Sequence, residues 1–104
     1  MNKPRVAVIG VGYLGSIHAR IYKELSACSL VAVCDTDPAK LNLASKSLRV
    51  PGISNYEELF DKVDAVSIAT PTNTHYEVAS DFLMHNVHTL VEKPFTKTWK
   101  KLIH

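Results

Sequence analysis

The sequence predicts an α/β fold, a doubly wound parallel sheet in the order 3-2-1-4-5, and three observations carry that expectation. Short β-branched runs alternate with segments of helical periodicity along the chain, the first run ends in Gly10-x-Gly12-x-x-Gly15, and Asp35 closes the second run 20 residues past Gly15. Strand, glycines, helix, strand and acid fall within one unit of about 30 residues, which gives the glycine pattern a specificity that it lacks alone.

Arg5 to Ile9 is a β-branched run bounded by glycine, as expected of a strand buried on both faces. A helix follows from Leu14 to Leu25, with Leu14, Ile17, Ile21 and Leu25 at helical spacing as its expected inner face. Leu30 to Cys34 is the second strand. Asp37-Pro38 reads as an N-cap and first helical position for a helix through Leu48, with Leu41, Ala44 and Leu48 as its apolar stripe. Pro51 and Gly52 leave room for a short third strand at Ile53. Ser54-x-x-Glu57 resembles a capping box opening a short helix with Leu59 and Phe60 inward. Val63 to Ala69 is the fourth strand, Thr74-x-x-Glu77 a second capping box for a helix to His85, and Val87 to Val91 the fifth strand. Strands separated by helices imply right-handed crossovers, with loops 10–15 and 70–75 facing one crevice.

A chain of 104 residues supports one core and leaves no room for a second domain of ordinary size. Its 12 basic and 10 acidic residues leave a formal charge of +2 with basic residues concentrated only in TKTWKKLIH, so nucleic acid is not an expected partner. Lys97, Lys100 and Lys101 read as a solvated helix face. No stretch approaches the roughly 18 apolar residues that span a membrane. Cys28 and Cys34 have neither CxxC spacing nor metal-ligand neighbours, and so read as reduced structural cysteines of a cytoplasmic protein with no metal site.

The glycines predict a dinucleotide site. Gly10 allows the tight turn out of the first strand, Gly12 removes a Cβ where backbone approaches a pyrophosphate, and Gly15 lets the helix lie close to the sheet. The helix N-terminus supplies free N–H groups and the positive dipole end, so Tyr13 and Leu14 complete the cofactor-binding set without a basic side chain. Asp35 is placed to accept hydrogen bonds from both hydroxyls of an adenosine ribose. Asp35 and Asp37 repel a 2′-phosphate, no arginine follows Asp35, and Lys40 is the only nearby counter-charge, so NAD is expected over NADP.

Four ordered motifs, VAVIGVGYLGSIHAR, VCDTDP, ATPTNTHYEVA and VEKPFTKT, cover nearly the whole chain and resemble the Gfo/Idh/MocA oxidoreductases. The resemblance implies an N-terminal NAD(P)-binding half, an active site completed by a C-terminal α+β domain, and a sugar or cyclitol substrate, with the first and third motifs closest to sugar-nucleotide members. It places Thr70, Pro71, Asn73 and His75 along the cofactor's diphosphate and nicotinamide ribose, His75 being equally readable as a first-turn helix residue. It makes Lys93 the catalytic lysine beside the nicotinamide, polarising a carbonyl or stabilising an alkoxide. Glu92 orients Lys93 or binds cofactor hydroxyls, and Pro94 fixes the turn. His18 reads as a helix residue near the crevice rather than a catalyst, and His85, His88 and His104 as structural.

Family members are several times longer, and the second-domain aspartate and histidine that serve proton transfer have no counterpart here. The expectation is therefore a dinucleotide-binding domain over 1–95 and a tail over 96–104 at the start of a missing substrate domain. Two functions compete: the NAD-binding half of a dehydrogenase, and a stand-alone noncatalytic NAD-binding module. The isolated chain is expected to bind NAD(H) without turnover. It is also expected to self-associate through the edge of strand five and the apolar Phe95, Trp99, Leu102 and Ile103.

Overall fold

The structure, a computed structural model, describes residues 3–91, apart from the side chains of Thr72 and Asn73. The expectations for Glu92, Lys93, Pro94, the Asn73 side chain and the 96–104 tail lie outside the described residues.

Five parallel strands form one sheet in the order β3-β2-β1-β4-β5, as expected. They are β1 (Arg5–Ile9), β2 (Ser29–Cys34), β3 (Gly52–Ile53), β4 (Ala65–Ile68) and β5 (His88–Val91), and α1 (Tyr13–Glu24), α2 (Pro38–Leu48), a 3-10 turn (Tyr56–Leu59) and α3 (Thr72–Met84) intervene. Alternate residues of β1 serve two cores, which explains its unbroken apolar run. Val8 packs with Leu30, Val33, Ala19 and Ala44 beneath α1 and α2. Ala7 and Ile9 pack with Val66, Ile68, Leu59, Val78 and Phe82 beneath the 3-10 turn and α3. Because β1 pairs with both β2 and β4, the strand order reverses at β1, the place where ligands enter such sheets.

Four local expectations are corrected. The buried face of α1 is Gly15 and Ala19 with Tyr22 partly covered, whereas Leu14, Ile21 and Leu25 are exposed. Gly15 brings the helix backbone against the Gly10 turn, so the small residues at i and i+4 take the contact and the leucine–isoleucine stripe turns aside. Asn55 rather than Ser54 caps the 3-10 turn, its side chain accepting from Glu57 N at 3.0 Å. Helix α3 starts two residues before Thr74, whose hydroxyl donates to the Pro71 carbonyl at 3.0 Å instead of capping. β4 begins at Ala65, since Asp64 receives the Arg5 backbone N–H and guanidinium on its carboxylate. The Asp37 cap holds, accepting from Ala39 N and Lys40 N.

Candidate functional site

At the carboxyl ends of β1, β2 and β4 lies a cleft of about 760 Å³, within the range of small-molecule and cofactor sites. Its walls include Gly10, Gly12, Leu14, Asp35, Thr70 and Pro71, so residues distant in sequence converge there as expected.

The glycine turn is built by three different physical demands. Gly10 sits at φ +94, and a Cβ there would lie 2.9 Å from the Ala69 carbonyl carbon, so both conformation and space require glycine. A Cβ on Gly15 would collide with the Gly10 carbonyl oxygen. Gly12 is different: its extended backbone suits any residue, and a Cβ would meet no atom of the described residues within 4 Å. Nothing among the described residues requires glycine at 12, which leaves close approach by a ligand as the demand for it.

Gly12 is also the N-cap of α1 and offers no side chain to the first-turn N–H groups. The contrast with α2 is direct, because there Asp37 occupies the N-terminus with its own carboxylate. The α1 N-terminus thus combines free donors and a positive dipole end beside the cleft. The Thr70 hydroxyl, also on the cleft wall, is buried and has no hydrogen-bond partner among the described residues.

Asp35 anchors the other end. Its Oδ2 accepts from Val11 N at 2.9 Å and its Oδ1 from Asp37 N at 2.9 Å. A carboxylate has about four lone-pair sites, so two remain for ribose hydroxyls. Among the described residues, Asp35, Asp37 and Glu77 place three carboxylates around this part of the cleft against one ammonium, Lys40. Cys34 adds no charge: burial, with Asp35 and Glu58 assisting, pushes its thiol up to about 12. An open Gly12, an uncapped helix, an unpartnered hydroxyl and a carboxylate with spare acceptor sites together fit a dinucleotide.

Three expected site residues stand away from the cleft wall. Tyr13 is 87% exposed, Gly15 lies beneath the turn, and His75 is buried in the first turns of α3 with Nδ1 unpartnered among the described residues. His18, expected as a helix residue near the crevice, sits in α1 with Nδ1 3.3 Å from the buried Ser67 hydroxyl of β4, and it is not among the residues of the cleft wall. Sequence reasoning missed Ser54, Tyr56, Glu77 and Val78 as cleft walls, whereas Thr74 lies in the 70–75 loop expected to face the crevice. Tyr56 donates to Asp81 Oδ2 at 2.5 Å, and that bond, then burial, raises the phenol above its ordinary range. The available signal was positional, since these residues follow the carboxyl ends of β3 and β4.

Comparison with known proteins agrees with the geometry. The family model described as "Oxidoreductase family, NAD-binding Rossmann fold" (GFO_IDH_MocA) matches residues 4–104. UDP-N-acetylglucosamine 3-dehydrogenase of Acidithiobacillus ferrooxidans is 42% identical over 92 residues, covering 88% of this chain and 29% of that protein. Its solved structure superposes with a TM-score of 0.83 at 41% identity over 92% of this chain and 31% of that one. The rhizopine catabolism protein MocA of Rhizobium meliloti is 37% identical, over 90% of this chain and 30% of its own. Scyllo-inositol dehydrogenase of Lactobacillus casei, solved with NAD(H) and scyllo-inositol, gives a TM-score of 0.81 at 28% identity, over 89% of this chain and 28% of that one. The chain spans about three tenths of the length of these relatives.

Proposed function

The chain belongs to the Gfo/Idh/MocA oxidoreductase family as its NAD-binding Rossmann-fold domain, and from that premise we propose that it is the cofactor half of a dehydrogenase acting on a sugar, a cyclitol or a sugar nucleotide. One observation carries the reading: the glycine turn, Asp35 and Thr70 converge on a single cleft at the strand-order reversal. The relatives support the substrate class, since one is named for a sugar nucleotide and another was solved with an inositol. Membership in an oxidoreductase family favours this reading over a stand-alone noncatalytic module.

NAD, when bound, supplies the hydride-accepting ring, and the chain's own residues bind and orient it. The backbone of Gly10 and Gly12 and the N–H groups of Tyr13 and Leu14 would hold the diphosphate, with the Thr70 hydroxyl and the loop through Pro71 and Asn73 contributing; Gly15 serves by letting the helix close on the turn, and His75 by its place in the first turn of α3. The Asp35 carboxylate accepts the ribose hydroxyls. The Lys93 ammonium polarises the reacting carbon–oxygen bond, and Glu92 orients it. Proton transfer and substrate positioning fall to a second domain, and positioning alone accounts for several kcal/mol of a barrier.

The protein acts in the cytoplasm and self-associates. No helix among the described residues is long and apolar enough to cross a membrane, and neither a membrane nor nucleic acid is a partner in this reading. Two measurements test it: calorimetric titration of NADH into the chain, and NADH absorbance on incubation with NAD and a panel of sugars, cyclitols and sugar nucleotides. The chain should bind without turnover. In a full-length enzyme carrying this domain, Lys93→Met should keep NADH affinity and lose most of the rate. Absence of binding by folded protein rejects the assignment, and steady turnover by the chain alone shows that no second domain is needed.

A further inference from the structure

We propose that Asp35, beyond accepting the ribose, is a positioning residue that clamps the glycine turn to the β2–α2 turn before any cofactor arrives. The proposal rests on the cofactor reading above and adds a second role for the same carboxylate.

The geometry is specific. Each carboxylate oxygen accepts one backbone N–H, Val11 from the glycine turn and Asp37 from the cap of α2, both at 2.9 Å. Val11 is 3% exposed and packs into the core beneath α1 and α2, so water does not readily replace a lost partner for its N–H. The rest of the turn is tied down nearby. Gly10 N donates to the Cys34 carbonyl at 2.7 Å, and the Ser16 hydroxyl donates to the Val11 carbonyl at 2.9 Å. With Val11 N held by Asp35, both polar groups of the Val11 backbone are committed to the protein. The peptide between Gly10 and Gly12 is thereby fixed, and the helix N-terminus that follows is presented in one orientation. A turn left to fluctuate would have to be ordered on binding, at the expense of affinity.

Replacing Asp35 by a small residue to admit a 2′-phosphate would also release the anion-binding turn. The variant should lose affinity even for ligands that never touch the carboxylate.

The test separates the two roles by removing the ribose hydroxyls from the ligand rather than only the acid from the protein. ADP and 2′,3′-dideoxy-ADP are titrated into the chain and into Asp35→Ser and Asp35→Asn, followed by amide chemical shifts. Positioning predicts that Asp35→Ser weakens dideoxy-ADP by about tenfold, as expected for loss of a hydrogen bond to a charged group, with Asp35→Asn intermediate because it keeps one acceptor oxygen. Unchanged dideoxy-ADP affinity in Asp35→Ser overturns the clamp. Equal affinity of the unmodified chain for ADP and dideoxy-ADP removes the ribose role and leaves the clamp standing, so the two failures are distinguishable. No binding of either ligand by folded, unmodified protein overturns both. Hydrogen exchange supplies a readout that does not depend on ligand: Val11 N–H should lose protection in Asp35→Ser while the core amides of Val8 and Val33 keep theirs. Uniform loss at all three sites indicates general destabilisation and contradicts the clamp.

Discussion

Substituting Gly12 and Gly15 separately by alanine should divide ligand binding from folding. A Cβ at Gly12 meets no atom of the described residues within 4 Å, and its backbone, at φ −69, is open to alanine. Gly12→Ala should therefore change stability by less than about 1 kcal/mol, with any gain coming from a less flexible unfolded chain. For a domain of this size that is a Tm shift of under about 8 °C. The same methyl group stands where a diphosphate would lie, so NADH affinity should fall at least about tenfold. At Gly15 the Cβ collides with the Gly10 carbonyl oxygen, which is backbone and has no rotamer to escape into. Helix propensity returns about 1 kcal/mol for Gly→Ala. Overpacking costs about 1–3 kcal/mol and more where nothing can move, so a net loss of about 2 kcal/mol and a Tm drop of roughly 8–16 °C follow. The assay is a thermal melt paired with calorimetric titration of NADH for both variants. Gly12→Ala binding NADH as tightly as the unmodified chain would refute the reasoning, as would Gly15→Ala melting at an unchanged temperature.

NADH should bind at least about tenfold more tightly than NADPH, because among the described residues Asp35, Asp37 and Glu77 face Lys40 alone in the cleft. Parallel calorimetric titrations check this, and equal affinities would contradict it. Iodoacetamide at about pH 8 should label Cys28 and spare Cys34 in the folded protein, since the Cys34 thiol is pushed up to about 12; peptide mass spectrometry reads the outcome, and labelling of Cys34 at the rate of Cys28 would overturn it. The Asp64 carboxyl is held below its ordinary range by hydrogen bonds from Arg5. Its folded pKa being the lower one, the pair stabilises the fold above about pH 4 and that contribution fades as pH falls through the folded value. Both side chains are about half exposed, so the effect is small: Asp64→Asn should slightly flatten the acid limb of Tm against pH, and an unaltered limb would show the pair to be inert.

Much of the architecture was legible because it depends on patterns that one chain displays by itself. The strand order followed from five apolar runs, and Asp37-Pro38 declared the start of α2, where the cap does form. What misled was local competition. Ser54 and Asn55 are both good caps, and only the register of the backbone entering the turn gives the position to Asn55. The leucine–isoleucine stripe of α1 has a helical period, yet the glycine that admits close packing also decides which face makes it, and that face is Gly15 and Ala19. For the site, Gly10, Gly12 and Asp35 were readable because each sits next to a strand end in a known spacing, and Thr70 through the resemblance of its loop to the family's. Tyr56 and Glu77 join the wall only once β3 and α3 are folded beside β1, and no spacing in the sequence announces that.

The central claim is that the cleft at the glycine turn holds NAD, and its most direct test is titration of NADH into the isotope-labelled chain with amide chemical shifts recorded residue by residue. The account predicts saturable shifts centred on Gly10 to Leu14, Asp35 and Thr70, with His88 and Leu90 on β5 left in place. Saturable shifts centred elsewhere, or an unchanged spectrum from folded protein, would contradict it.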